Sequence, residues 1–233
     1  MVVIGLDGCR RGWVAVRIDG AVRELLFLLE PKNGLGSPLD ALHGMRFKRA
    51  AIDMPIGLPV RGYRDCDREA RKLLGRNASR AFLGARRCVL TAKSQNELNA
   101  KLKSAGEPGV SAELFCLKKK LKEVDAFVRA HRERDVREAH PELVFQHLNG
   151  GKPVPRKRDA AGLKLRRKLL EDDGFRDLDE WLTWKRLGTG AKPDDILDAC
   201  AMAIAARDFS DKRVLPRGHV PKDKTGLPMQ IWY

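Results

Sequence analysis

The chain has 233 residues, 43% of them hydrophobic, and its 46 Lys and Arg against 31 Asp and Glu give a formal net charge of +15. No apolar run approaches the roughly 20 residues that a membrane-spanning helix requires, which excludes an integral membrane helix and predicts a soluble protein with no membrane partner. The positive excess favours nucleic acid as a partner, although a merely basic soluble surface explains the charge equally well.

The N-terminus and the cysteines indicate a cytoplasmic protein. The residues before Asp7 carry no basic leader and predict a strand rather than a secretory signal. The five cysteines are odd in number, and no two have the spacing typical of a zinc or redox pair. Reduced thiols in a cytoplasm are the simplest explanation.

The beginning of the chain predicts a mixed sheet. Apolar runs over residues 2–7, 13–18 and 22–29, separated by short turns, predict three antiparallel strands. A short helix over residues 38–45 then leads to a buried strand over residues 49–53. Because parallel neighbours cannot be joined by a tight turn, this helical crossover predicts that the fourth strand runs parallel to the first.

The remainder is mainly helical. Residues 57–110, polar and rich in arginine, predict an insertion within a single domain of residues 1–233. Apolar residues at three- and four-residue steps predict one amphipathic helix over residues 111–131, followed by a short fifth strand. The further predicted elements are helices over residues 65–74, 94–103, 160–171, 178–187 and 194–207, the fifth strand over residues 135–139, and an edge strand in the tail at residues 229–233.

Aspartates end two predicted strands and begin the last predicted helix. Asp7 and Asp53 emerge at one carboxyl edge if their strands are parallel, and Asp195 and Asp198 share a helix face. Such like charges repel one another unless a divalent cation neutralises them, and oxygen ligands suit Mg²⁺ or Mn²⁺. The spacing therefore predicts Asp7, Asp53, Asp195 and Asp198 as catalytic metal ligands. Alternatively, Asp53 is a turn acid, and Asp194 and Asp195 only cap the helix.

Glu138 is a fifth catalytic candidate, and four further residues are accessory candidates. Glu138 follows the fifth strand, where it suits a further ligand or the base that orients a water. His140 and Glu142 follow it, although a histidine beside proline is more often structural and Glu142 could cap its helix. Lys157 lies in a Gly-Pro-rich loop that could close on a phosphate, and Asp194 completes the accessory set.

Arginines are the predicted nucleic-acid contacts. Aromatic residues make up only 6% of the chain, so we expect binding mainly through phosphates rather than base stacking. Solvated helix faces are the competing explanation. The predicted contacts are Arg10, Arg11, Arg64, Arg71, Arg86 and Arg87.

Several motifs occur together in a specific order. They are Gly5-Leu6-Asp7-Gly8-Cys9 with Gly12-Trp13, Asp53-Met54-Pro55-Ile56-Gly57-Leu58-Pro59, Asp67 with Ala70-Arg71 and Leu74-Gly75, Glu138 with His140-Pro141-Glu142 and Phe145, and Asp194-Asp195 with Asp198-Ala199. In this order they resemble the domain of unknown function 429 family, described as predicted nucleases with a ribonuclease H-like fold. The resemblance covers nearly the whole chain.

The resemblance implies both a fold and an activity. The fold is α/β, a ribonuclease H-like mixed five-stranded sheet flanked by helices, with a helical insertion after strand four. The activity is metal-dependent hydrolysis of nucleic-acid phosphodiester bonds by acids on strands one and four and on the last helix. Members tend to carry a Ser-Lys-Lys-Thr-like loop where this chain has Arg156-Lys157-Arg158-Asp159, which keeps the lysine but lacks the hydroxyl groups.

Two other functions remain open. A nucleotide-binding ATPase or kinase-like protein of the same superfamily would place the Asp7-Gly8 turn against phosphates, but residues 110–233 contain no second Asp-Gly hairpin after a strand. A non-catalytic nucleic-acid-binding protein would use only its basic surface. Metal dependence separates these readings, and the sequence leaves the oligomeric state open.

Overall fold

The computed structural model describes residues 1–183 and 188–233. The chain divides into two compact units. The first comprises Met1–Asp53, Arg132–Arg213 and Trp232–Tyr233, and the second comprises Met54–His131 and Val214–Ile231. The arginine-rich segment of about residues 57–110 lies within the second unit.

The first unit contains a mixed five-stranded sheet. Its strands are β1 (Val2–Cys9), β2 (Gly12–Asp19), β3 (Val22–Leu29), β4 (Arg49–Ile52) and β5 (Val136–Glu138). Their order is β3-β2-β1-β4-β5, in which β1 and β3 run antiparallel to β2, whereas β1, β4 and β5 are parallel. The predicted sheet of three antiparallel strands followed by parallel ones is confirmed.

Helices make up most of the remaining regular structure. The α-helices of the described residues are α1 (Asp65–Leu74), α2 (Arg87–Thr91), α3 (Gln95–Ser104), α4 (Ala112–Cys116), α5 (Lys118–Ala130), α6 (Pro141–Leu148), α7 (Ala160–Asp172), α8 (Leu178–Thr183) and α9 (Pro193–Arg207). Short 3-10 helices span Pro38–Gly44, Gly75–Arg80 and Asp211–Arg213. Strands β6 (Val214–Leu215) and β7 (Ile231–Trp232) form a two-stranded sheet.

The amphipathic helix predicted over residues 111–131 is interrupted. Its two parts, α4 and α5, meet at Leu117, whose N–H donates to the Leu114 carbonyl three residues earlier at 3.1 Å. Such a bond tightens the last turn of a helix and ends its regular ladder. The apolar spacing nevertheless continues through the break, since Leu114 and Leu121 are both fully buried. Periodicity alone therefore gave no sign of the interruption.

The later part of the chain follows the predicted pattern in outline. The helix predicted over residues 178–187 begins as α8, while residues 184–187 lie outside the described residues. The predicted tail strand corresponds to β7, and Trp232 also forms an isolated parallel bridge with Ala139. Within residues 1–183 and 188–233, no helix is both long and apolar enough to cross a membrane.

Helix α9 lies against the sheet at a separation that requires glycine. It contacts β1, β2 and β4, and every residue from Ile196 to Ala206 is buried. A Cβ atom at Gly5 would lie 2.0 Å from the amide nitrogen of Ala203 and 2.3 Å from the carbonyl oxygen of Ala199. Because α9 carries three of the predicted site aspartates, this close approach determines how near they come to β1.

We expect Gly5→Ala to destabilise the protein by about 3 kcal/mol or more, because its methyl group meets backbone atoms that can retreat only if α9 leaves the sheet. Gly44→Ala is the matched control, since a Cβ there meets nothing within 4 Å. The control should stay within about 1 kcal/mol of wild type. Urea unfolding measures both, and equal stabilities would contradict the close packing.

Candidate functional site

Two of the predicted site aspartates lie at one edge of the sheet. Parallel pairing of β1 with β4 aligns Leu6 with Ile52, so the next residues along the two strands are Asp7 and Asp53. The Asp53 N–H donates to the Leu6 carbonyl at 3.0 Å, which continues the ladder to the site. Asp7 is buried and Asp53 is partly buried. The edge therefore holds two neighbouring carboxyl groups with little access to water.

The first turns of α9 bring more carboxylates to this edge. Pro193 occupies the first turn, where its missing N–H costs no helical hydrogen bond. Asp195 accepts the Lys192 N–H at 2.8 Å, so it does cap the helix as the alternative reading held. Asp194 is partly exposed, whereas the Asp198 side chain is 6% exposed.

Crowding of these acids changes their protonation. The pKa of Asp7 is raised well above its usual range by burial, then by the charges of Asp198, Asp53 and Asp195. Burial likewise raises the pKa of Asp53, although the charges of His140 and Lys157 oppose the rise. Asp7 and Asp53 therefore both favour their protonated forms more than a solvent-exposed aspartate does.

Asp198 combines deep burial with an unused oxygen. Burial raises its pKa to about 7, even though the Lys157 ammonium opposes this rise. Its Oδ2 atom accepts a hydrogen bond from Lys157 Nζ at 2.7 Å. Its Oδ1 atom is buried and has no hydrogen-bond partner. A buried carboxylate oxygen without a partner is costly in a folded protein and is suited to accept a bound ion or water.

A loop between α6 and α7 carries Lys157 to the aspartates. Nζ of Lys157 is also 3.1 Å from Asp194 Oδ2, so one ammonium bridges two carboxylates of α9. Burial lowers the pKa of Lys157, but attraction to Asp198 and Asp194 outweighs that effect, and the pKa is raised overall. Lys157 is therefore cationic at neutral pH.

Arg166 anchors the loop. This fully buried side chain donates to the Pro155 carbonyl at 2.8 Å and forms an ion pair of 2.6 Å with Glu142. Arg166 was not among the sequence-based candidates. The available signal was its spacing, since Arg166 lies four residues after Gly162 and four before Leu170, and all three are buried on one face of α7. An arginine on the buried face of a helix requires an acidic partner.

The remaining predicted acids and the histidine lie close to the same edge. Glu138 is buried at the end of β5, opposite Ile52 in the parallel register. His140 caps α6, since its Nδ1 atom accepts the Glu142 N–H at 3.2 Å. Glu142 raises the pKa of Asp198 and Asp53 through its charge, and it pairs with Arg166. In this structure His140 and Glu142 thus both make local structural interactions.

The cluster does not present a complete set of metal ligands as it stands. Among residues 1–183 and 188–233, no group of three or more His, Cys, Asp and Glu side chains is arranged to hold one metal ion. The contacts explain why, since Lys157 already binds one oxygen of Asp198 and one of Asp194, while Lys192 engages Asp195.

Four of the six predicted arginine contacts lie in the second unit, where their side chains bind acids or carbonyl groups of the same unit. Arg64 and Arg86 are buried; Arg64 binds Asp67, and Arg86 donates to the Gly84 carbonyl at 3.3 Å. The remaining contacts are bonds from Arg87 to Asp125 and Asp223, from Arg71 to the Ala81 carbonyl, and from Arg86 to Glu107. We leave Arg64, Arg86 and Arg87 out of any nucleic-acid surface.

The other two arginines are exposed in the first unit. Arg10 and Arg11 occupy the turn between β1 and β2, shortly after Asp7. Arg11 donates to the Gly188 carbonyl at 2.7 Å. A Cβ at Gly190 would lie 2.7 Å from Arg10 Cβ, so the segment just before α9 packs on this turn. The turn that carries both arginines therefore lies next to the segment that leads into α9.

Comparison with known proteins gives one match. The model of the family described as protein of unknown function (DUF429) matches residues 5–224. Because this match covers most of the chain, the protein belongs to that family. Searches of curated proteins and of solved structures gave no significant match.

We expect Arg166→Met to destabilise the protein by about 3 kcal/mol or more, because it removes the buried guanidinium that forms an ion pair with the Glu142 carboxylate. Arg167→Met on the same helix is the matched control, since that side chain pairs with exposed Asp179. Such surface pairs contribute about 1 kcal/mol or less. Thermal and urea unfolding measure both variants, and an equally mild effect of the two substitutions would contradict the anchoring role.

We expect Asp7→Asn to be more stable than wild type at pH 7 in EDTA, by about 1 kcal/mol or more. Because the pKa of Asp7 is raised in the folded protein, the unfolded chain loses the Asp7 proton at a lower pH than the folded chain does. Wild type therefore loses stability as pH rises above about 4, the unfolded value, until the folded pKa is passed. The variant lacks this loss, so the difference should shrink towards pH 4. A variant that is less stable than wild type at pH 7 would refute the argument.

Proposed function

We propose that the chain is a metal-dependent nuclease that hydrolyses nucleic-acid phosphodiester bonds at the edge of its sheet. One observation carries the proposal. Carboxyl groups from the end of β1, from the residue after β4 and from the start of α9 gather at one place, despite their mutual repulsion. Ionisable groups with strongly perturbed pKa values cluster at functional sites in proteins.

The donor set fits a hard divalent cation. Every candidate ligand is a carboxylate oxygen, which is what Mg²⁺ and Mn²⁺ prefer. The buried, unpartnered Oδ1 atom of Asp198 supplies a vacant acceptor within the cluster. Asp7, Asp53, Asp195 and Asp198 would hold the cation. When bound, it would activate a water molecule and neutralise charge on the phosphate.

Other side chains of the site would bind and orient the substrate. The exposed guanidinium groups of Arg10 and Arg11 suit bidentate contacts with phosphate oxygens. The Lys157 ammonium would offer a further cation to the phosphate. The buried Glu138, at the end of β5, is a candidate to orient the attacking water. His140 would contribute indirectly, because it caps the start of α6.

The net charge of the chain favours nucleic acid as the substrate, and its free cysteines favour the cytoplasm as the location. The net charge of +15 favours association with a polyanion through the release of its counterions. All five cysteines are free thiols, which suits a reducing compartment. We therefore propose nucleic acid as the substrate and the cytoplasm as the location.

We expect cleavage of nucleic acid to depend on Mn²⁺ or Mg²⁺ and on Asp7. The assay is incubation of the full chain with branched, duplex and single-stranded DNA and RNA, with either metal or with EDTA. Asp7→Asn should lower the rate at least about 100-fold, because it removes a ligand charge from the cation site. Asp65→Asn, an exposed acid in the first turn of α1, is the matched control and should retain activity.

Equal cleavage by wild type and Asp7→Asn would overturn the proposal. A protein that shifts the mobility of nucleic acid in a gel but leaves it intact with both metals would be a binder without catalysis. Metal-dependent binding of ATP without cleavage of nucleic acid would favour the ATPase or kinase-like alternative.

A further inference from the structure

One cation of the protein itself already occupies the acidic cluster. Lys157 Nζ lies 2.7 Å from Asp198 Oδ2 and 3.1 Å from Asp194 Oδ2. Its positive charge also acts on Asp7, Asp53 and Asp195. A single ammonium therefore offsets charge on every aspartate of the cluster.

The loop that carries Lys157 is held firmly in place. Val154 is buried, and Arg166 binds the Pro155 carbonyl beneath the turn. Gly162 brings the first turn of α7 against the loop, since a Cβ there would lie only 2.0 Å from the Arg156 carbonyl oxygen. The backbone of the loop that carries the lysine is thus held by packing and by a hydrogen bond from Arg166.

Compensation of the cluster by this lysine is incomplete. Lys157 binds only one oxygen of Asp198, and the buried Oδ1 atom has no partner. An ammonium has three donors and one charge, whereas a divalent cation can engage several carboxylates at once. The site therefore contains acceptor capacity that the lysine leaves unused.

We propose that Lys157 is an internal counter-ion that competes with the divalent cation for Asp198, so that metal binds only when the ammonium is displaced from that carboxylate. This inference rests on the metal site of the proposed function but not on nuclease activity. Displacement frees Lys157 while its loop stays anchored, which leaves the ammonium beside the site and available to a phosphate.

Competition of this kind lowers the apparent affinity for metal. The apparent dissociation constant equals the intrinsic one divided by the fraction of molecules in which the site is free. If the lysine leaves Asp198 in about one molecule in ten, metal binds about tenfold more weakly than to the vacated site. Removal of the ammonium should recover that factor.

The first test is calorimetric titration of the metal-free chain with MnCl₂. Lys157→Gln should bind Mn²⁺ about tenfold more tightly than wild type. Lys157→Arg keeps the charge and should bind no more tightly than wild type. Lys152→Gln, in the same loop and exposed, is the matched control and should resemble wild type. Equal or weaker binding by Lys157→Gln, or no binding by either protein, overturns the inference.

The second test uses wild type alone and does not depend on the folding of any variant. Acetic anhydride modifies free amines, and mass spectrometry reports the rate at each lysine. Mn²⁺ should accelerate acetylation of Lys157 several-fold relative to Lys152, because the ion releases the ammonium from Asp198. An unchanged or slower rate overturns the inference. Mn²⁺ binding with the predicted pattern but without nucleic-acid cleavage would refute the proposed nuclease and leave this inference standing.

Discussion

Repulsion among buried carboxylates is the constraint on which this site depends. Removing an ionised acid from water costs several kcal/mol, and like charges nearby add to that cost. Three features of the structure reduce this repulsion: the raised pKa values of Asp7 and Asp53 favour their neutral forms, Lys157 bridges Asp194 and Asp198, and Asp195 accepts a backbone N–H. Each feature lowers the repulsion, and none removes it. The divalent cation that we propose would remove more of this repulsion, because one ion can engage several carboxylates.

The scaffold creates this repulsion by geometry. Parallel pairing of β1 with β4 ends both strands at one edge, and Gly5 lets α9 approach β1 to the distance of backbone contact. The close packing of α9 on β1 buries the helix and also brings Asp198 near enough to Asp7 for its charge to raise the pKa of Asp7. Packing and site are therefore coupled, because loss of the close contact would separate the charges. Stability is in part given up to hold the cluster together.

The sheet and the position of the acids were predictable from local patterns. Short apolar runs closed by Asp7 and Asp53 defined β1 and β4, and Pro193 before two acids defined the start of α9. These signals are local because strands and helix starts are read from neighbouring residues. What could not be predicted depends on contacts between distant residues. The ion pair of Lys157 with Asp198 spans 41 positions.

Charge in the sequence was the least informative signal about exposure. Arg64 and Arg86 stand in a polar, arginine-rich stretch and were expected at a nucleic-acid surface, yet they are buried and bound to acids and carbonyls. A guanidinium group can be buried wherever its donors are satisfied, and composition does not reveal the partners.

A crystal of the full chain soaked in Mn²⁺ tests the central claim most directly. Anomalous scattering would locate the ion without reference to activity. The account predicts a peak bonded to oxygens of Asp7 and Asp198, with the Lys157 ammonium moved away from Asp198. Absence of a peak at this edge at saturating Mn²⁺, with Lys157 still bound to Asp198, would contradict it.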